Sequence, residues 1–130
     1  MHPVVITCVA ALGLLLFGLG LAISMQRFRT RTLDGHSAEP TDRLHRLVAA
    51  HANTAEFAPY LAVLFLYLGS QAPGTATVAL IVAATLCRFL LVLGLLVVGR
   101  LDRPNPLRFT GALGTYLLGA ALCLVALAGI

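Results

Sequence analysis

The first twenty-five residues decide most of what this chain can become. From Pro3 to Met25 the sequence is a nearly uninterrupted apolar run with no charged residue. As a helix, Val4 to Ser24 would span about 32 Å, enough to cross the hydrocarbon core of a bilayer. Its basic residues, Arg27, Arg29 and Arg31, come after the run. A signal peptide carries them ahead of a shorter run. The segment therefore reads as a retained first membrane helix.

The rest of the chain agrees. Its 130 residues are 59% hydrophobic and only 11% charged, with a mean hydropathy of +0.94. A soluble domain of this size needs more polar residues than that to cover its surface. The composition is that of an integral membrane protein. All nine basic residues are arginine, and they gather from Arg27 to Arg46 and from Arg100 to Arg108, leaving Arg88 alone in an apolar run. No extended basic surface interleaved with aromatic residues accompanies the two clusters, so a nucleic-acid partner is not expected. Cys8, Cys87 and Cys123 each lie in apolar stretches without CxxC spacing. They read as small buried hydrophobes, with neither metal site nor disulfide framework.

The remaining punctuation divides the chain into a single four-helix domain over residues 1–130. Helices are expected at about 3–25, 43–68, 75–99 and 106–129. "QRFRTRTLDGHSAEPTD" (26–42), "GSQAPG" (69–74) and "RLDRPNP" (100–106) are the connecting loops. Thr41 or Asp42 offers a side-chain oxygen to cap the second helix. Asn105 followed by Pro106 is a cap and first-turn proline for the fourth. The fold class is thus all-α, a bundle of four transmembrane helices. Loops one and three, with the adjoining helix starts, hold eight of the nine arginines. The positive-inside rule places these loops in the cytoplasm and both termini outside. Gly111, Thr115 and Gly119, spaced by four, suit close helix packing, within the bundle or at an oligomer contact.

The second apolar run contains "AAHANTAEFAPYL", residues 49–61. At 100° per residue, Asp42, Arg46, Glu56, Tyr60 and Tyr67 all fall within about 60° of Asn53 and form one polar stripe. His51 lies on the opposite side and reads as a packing or interfacial residue. Glu56 lies about 15 Å inward from Arg46, and Arg88 about 18 Å inward from Arg100. An unpaired charge at such depth costs at least ~2.5–3.5 kcal/mol, so Glu56 and Arg88 are expected to pair. The pair either glues two helices together or organises a polar pocket. Pro59 should bend the second helix just past Glu56. Arg108 is either a topology anchor or a fixed cation able to hold a thiolate or carboxylate.

"RLHRLVAAHANTAEFAPYL", with its "HANxxExxP" core from His51 to Pro59, resembles the helix-two signature of the MAPEG family. These are membrane-associated proteins in eicosanoid and glutathione metabolism, and the match is most like their small bacterial members. The basic first loop, Arg88 in "CRFLLVLGLL" and Arg108 before the fourth helix extend the resemblance over nearly the whole chain. It implies a homotrimer in a bacterial inner membrane. It further implies glutathione or another low-molecular-weight thiol as cosubstrate, bound near the cytoplasmic face. Asn53 and Glu56 match the family's thiol-binding residues, Arg88 the arginine that commonly pairs with that glutamate, and Arg108 the arginine that stabilises the thiolate. Ala49 stands where the family usually has an arginine, for which Arg46 is a substitute one turn away. Leu91, Leu95 and Ala112 replace a histidine and two tyrosines.

The resemblance implies a thiol-dependent transferase or peroxidase acting on a lipophilic electrophile. The alternative is a non-catalytic lipid-binding or accessory protein. A third class is a small proton-coupled efflux transporter built on Glu56; an arginine partner that keeps the carboxylate ionised argues against it.

Overall fold

The structure, a computed structural model, describes residues 1–129. Among these, four helices follow one another: α1 (Pro3–Thr30), α2 (Arg43–Ser70), α3 (Thr75–Val97) and α4 (Pro106–Ala128). Asp42 caps α2 by accepting a hydrogen bond from His45 N–H at 2.7 Å. Asn105 caps α4 by accepting from the backbone N–H groups of Leu107 and Arg108, with Pro106 in the first turn. α1 runs five residues beyond the expected Met25. Its last turn carries Arg27 and Arg29, whose charge suits the partial negative charge of a helix C-terminus. It closes with Arg31 in the left-handed region (φ 51°), its N–H on the Arg27 carbonyl.

Three of the helices, α1, α3 and α4, are long and apolar enough to cross a membrane. α2 falls short because it carries Arg43, Arg46, Asn53 and Glu56. Many large apolar side chains, such as Leu14, Phe17, Leu86 and Leu117, are exposed on the outside of the bundle. A surface of that kind belongs against lipid or another apolar partner.

The interior has two apolar clusters. One joins Val5 and Leu12 of α1, Leu61 and Phe65 of α2, Ile81 of α3 and Leu122 of α4. The other joins Leu19, Leu47, Ala50, Leu91, Val92 and Leu95. Between them in sequence, on α2 and α3, lie the buried Thr54 and Arg88. Thr54 is satisfied by its own helix, donating to the Ala50 carbonyl at 2.8 Å.

α3 and α4 approach most closely, and glycine permits it. A Cβ on Gly111 would stand 2.5 Å from Leu91 N, and one on Gly94 2.5 Å from Arg108 N. Gly114 lies directly under the Cys87 sulfur. The small-residue ladder on α4 therefore packs α4 within its own bundle: Gly111 against α3, and Gly119 beside Leu61 of α2. His51 faces α1, with a Cβ on Gly20 3.5 Å from its Nε2.

The ends of the bundle sort by charge. Loop three meets loop one where Leu101 N–H donates to the Pro40 carbonyl at 3.1 Å. At the other end Met1 and Val5 pack on Gly69, and Gly129 lies in a cleft beside Gln71 and Pro73. Loops one and three thus share one end of the bundle.

Candidate functional site

α2 and α3 run antiparallel, and two arginine contacts fix their register. Near the loop end, Arg46 Nη1 donates to the Leu96 carbonyl at 2.7 Å. Seven residues further along α2 and eight back along α3, Arg88 Nη2 donates to Asn53, at 2.8 Å to Oδ1 and 3.0 Å to the backbone carbonyl. Arg46 therefore lies level with Leu96, whereas the expected pairing assumed that it lies level with Arg100. Four residues of helix amount to about 6 Å. That offset moves Arg88 from Glu56 to Asn53.

The expected Glu56–Arg88 ion pair does not form within the chain. Among the described residues the one ion pair joins Arg100 and Asp102 in loop three, at 2.8 Å. Its hydrogen bonds hold the Asp102 carboxyl below the usual carboxylate value. Glu56 itself is exposed on the outside of α2. Pro59 does not interrupt α2, which continues from Arg43 to Ser70.

Arg88 is the most demanding group in the molecule. Its side chain is 0% exposed, and its Nε and Nη1 are buried without a hydrogen-bond partner. The Phe57 ring lies 5.3 Å from its Cζ, within the range of a cation–π contact. Phe57 in turn tilts against Tyr116 of α4, with ring centroids 5.5 Å apart. A buried guanidinium normally fills its donors. This one places a single nitrogen on Asn53, and its other two have no partner among the described residues.

Arg46 and Arg108 occupy other places. Arg46 and the buried Asn105 each serve the C-terminal end of α3, where backbone carbonyls lack helical partners. Arg46 holds the Leu96 carbonyl, and Asn105 Nδ2 donates to the Gly94 carbonyl at 2.6 Å. Arg108 is exposed and donates from Nη1 to the Leu101 carbonyl at 3.0 Å. It lines a cleft of about 400 Å³ with Leu101, Arg103, Phe109 and Ala112. Arg46 lines another of about 310 Å³ with Arg43, Leu47 and Leu96. The two clefts share no residue, and Asn53, Glu56 and Arg88 line neither.

Of the residues singled out in the sequence, Asn53 and Arg88 touch. Arg46 and Arg108 both lie at the arginine-rich end, and Glu56 faces outward. Sequence reasoning missed Phe57, Tyr116 and the second role of Asn105. Phe57, one turn after Asn53 on the same helix, was the available signal.

Four helices, three of them long and apolar enough to cross a membrane, an arginine-rich end and a buried Asn–Arg contact define a small helical membrane protein. Residues 5–128 match the MAPEG family, and the chain belongs to it. No curated protein and no solved structure gives a significant match.

Proposed function

We propose that the protein is a thiol-dependent transferase or peroxidase, with glutathione or a similar small thiol as cosubstrate and a lipophilic electrophile as its target. The observation that carries this reading is Arg108. Its guanidinium is fixed at one nitrogen by the Leu101 carbonyl, and it borders an open cleft at the arginine-rich end. A thiol near pKa 8.5 is mostly protonated at neutral pH, and a neighbouring cation favours the thiolate. Arg108 would hold that thiolate while it attacks the electrophile. Asn53, Glu56, Arg88 and Arg46 would form the wider thiol site, with Arg88 positioned by Asn53.

Glu56 supports a homotrimer as part of this reading. It lies about 15 Å inward from Arg46 along α2, and within one chain it faces outward. Against lipid a carboxylate there would cost at least ~2.5–3.5 kcal/mol. A neighbouring copy would cover it, and the two unfilled nitrogens of Arg88 would face a site completed between subunits. On this reading α2 crosses the membrane with the other helices. Loops one and three lie in the cytoplasm of a bacterial cell, both termini outside the inner membrane.

The second reading, a lipid-binding or accessory protein, draws on Leu91 and Leu95. Both occupy positions where catalytic relatives carry polar groups, and both are buried in the apolar core, at 3% and 4% exposure. The transporter reading regains some ground, since its main objection was an intrachain partner for Glu56. Thiol conjugation by the purified protein separates the three. The enzyme reading expects conjugation of an aryl halide or reduction of a lipid hydroperoxide, lost in Arg108→Ala while assembly persists. Full activity in Arg108→Ala would remove the assigned role. Proton-driven uptake into liposomes, lost in Glu56→Gln, would favour transport.

A further inference from the structure

A second basic feature lies at the C-terminal end of α1, on residues that the thiol site does not use. Here a cleft of about 840 Å³ is lined by Arg27, Arg29 and Arg31 together with Phe28 and Leu33. The backbone curls to make it. Arg31 adopts the left-handed conformation, the N–H groups of Arg31 and Thr32 close on the Arg27 carbonyl, and Arg27 Nη1 donates to the Leu33 carbonyl at 3.2 Å. These contacts occupy the Arg27 and Leu33 carbonyls.

The three guanidinium groups have no carboxylate within ion-pair distance among the described residues, and Arg27 Nε is buried without a partner. The chain has no acidic residue before Asp34. The depth is that of a lipid phosphate. Pro3 to Ser24 accounts for about 33 Å of helix, so Arg27 stands just beyond the hydrocarbon boundary, within the headgroup layer. An apolar track leads to it. Leu14, Phe17, Leu21, Met25 and Phe28 recur at helical spacing along α1, and all are exposed, Phe28 at 88%. Leu33, at 95% exposure, adds an apolar side chain beside the arginines. A track for acyl chains ending in three unpaired cations matches one ligand in both its parts.

We propose that this end of α1 is a binding site for an anionic phospholipid. Arg27, Arg29 and Arg31 would take the phosphate, and the Leu14–Phe28 face would take the acyl chains. Phosphate oxygens accept the paired donors that guanidinium presents. Each basic residue near an anionic membrane surface contributes about fivefold to affinity. The site rests on the membrane reading of the fold and is independent of thiol chemistry.

The test is lipid retention by the full chain, purified in mild detergent and offered equal amounts of dioleoyl phosphatidylglycerol and dioleoyl phosphatidylcholine. Native mass spectrometry reads the bound lipid. The expected result is selective retention of phosphatidylglycerol. It should weaken about thirtyfold in Arg29→Gln/Arg31→Gln, two exposed positions whose variant is checked for an unchanged melting temperature, and persist in Arg103→Gln of loop three. Equal retention of both lipids, or undiminished selectivity in the double variant, would overturn the proposal. Displacement of the lipid by millimolar inorganic phosphate would instead make this a site for soluble phosphate. Near-complete disulfide crosslinking between copies through Phe28→Cys would give the face to a second copy, also against the proposal.

Discussion

At the scale of residues, the decisive contact is that of Arg88 with Asn53. The hydrogen bond from a charged donor is worth about 1.5–3 kcal/mol, and losing its acceptor leaves a buried cation less satisfied. Asn53→Ala should therefore lower thermal stability in detergent by an amount in that range. A double-mutant cycle locates the coupling. Asn53→Ala and Arg88→Leu should be strongly non-additive, because the second removes the charge that the first strands. Glu56→Gln and Arg88→Leu, which form no ion pair within the chain, should couple more weakly than the first pair. Coupling in the second pair that exceeds the first would restore the ion pair expected from the sequence. That expectation failed for a physical reason. Sequence gives distance along each helix, but not the offset between two helices. Arg100 lies in the loop beyond α3, so it was a poor marker of the level of Arg46. A preference for opposite charges also hid the amide of Asn53, whose neutral oxygen can accept from a guanidinium too.

At the scale of elements, α4 is held by one asparagine and three glycines. Asn105 caps α4 and also ties it to the end of α3 through the Gly94 carbonyl. Asn105→Ala should cost about 0.5–2 kcal/mol for the cap and about 1–3 kcal/mol more for the stranded buried carbonyl. Chemical unfolding in detergent would measure it. Gly111→Ala and Gly94→Ala press a methyl group into backbone, so each should destabilise by roughly 1–3 kcal/mol or more. Gly18→Ala meets nothing within 4 Å and should be neutral or stabilising by up to about 1 kcal/mol. Equal effects at the three positions would contradict the close α3–α4 approach. The elements themselves were legible: apolar runs of bilayer length, an aspartate cap and an Asn–Pro start mark helices locally. What α4's small residues pack against was not legible, because spacing alone cannot distinguish a neighbour in the same chain from one in another copy.

At the scale of the whole molecule, charge sorts the two ends. Loops one and three touch through Leu101 and Pro40, so eight of the nine arginines gather at one end. On the orientation proposed here, a cysteine introduced at Ser37 or Arg103, with the native cysteines replaced, should react with a membrane-impermeant maleimide only after the inner membrane is opened. One at Gln71 should react in intact spheroplasts. The reverse pattern would invert the topology. The thiol site is a separate matter, because its candidate residues do not converge within a single chain. Arg108 and Arg46 border different clefts, and Arg88 keeps two buried nitrogens unfilled.

The most direct measurement is the melting temperature of the purified protein in detergent, with and without millimolar glutathione, for the unmodified chain and for Arg108→Ala. A ligand that binds only the folded state stabilises it by about 2.7 kcal/mol at a hundredfold excess over its Kd. A clear rise in the unmodified protein, lost in Arg108→Ala, is the predicted result. No rise with glutathione or with other small thiols, or the same rise in both proteins, would contradict a thiol site built on Arg108.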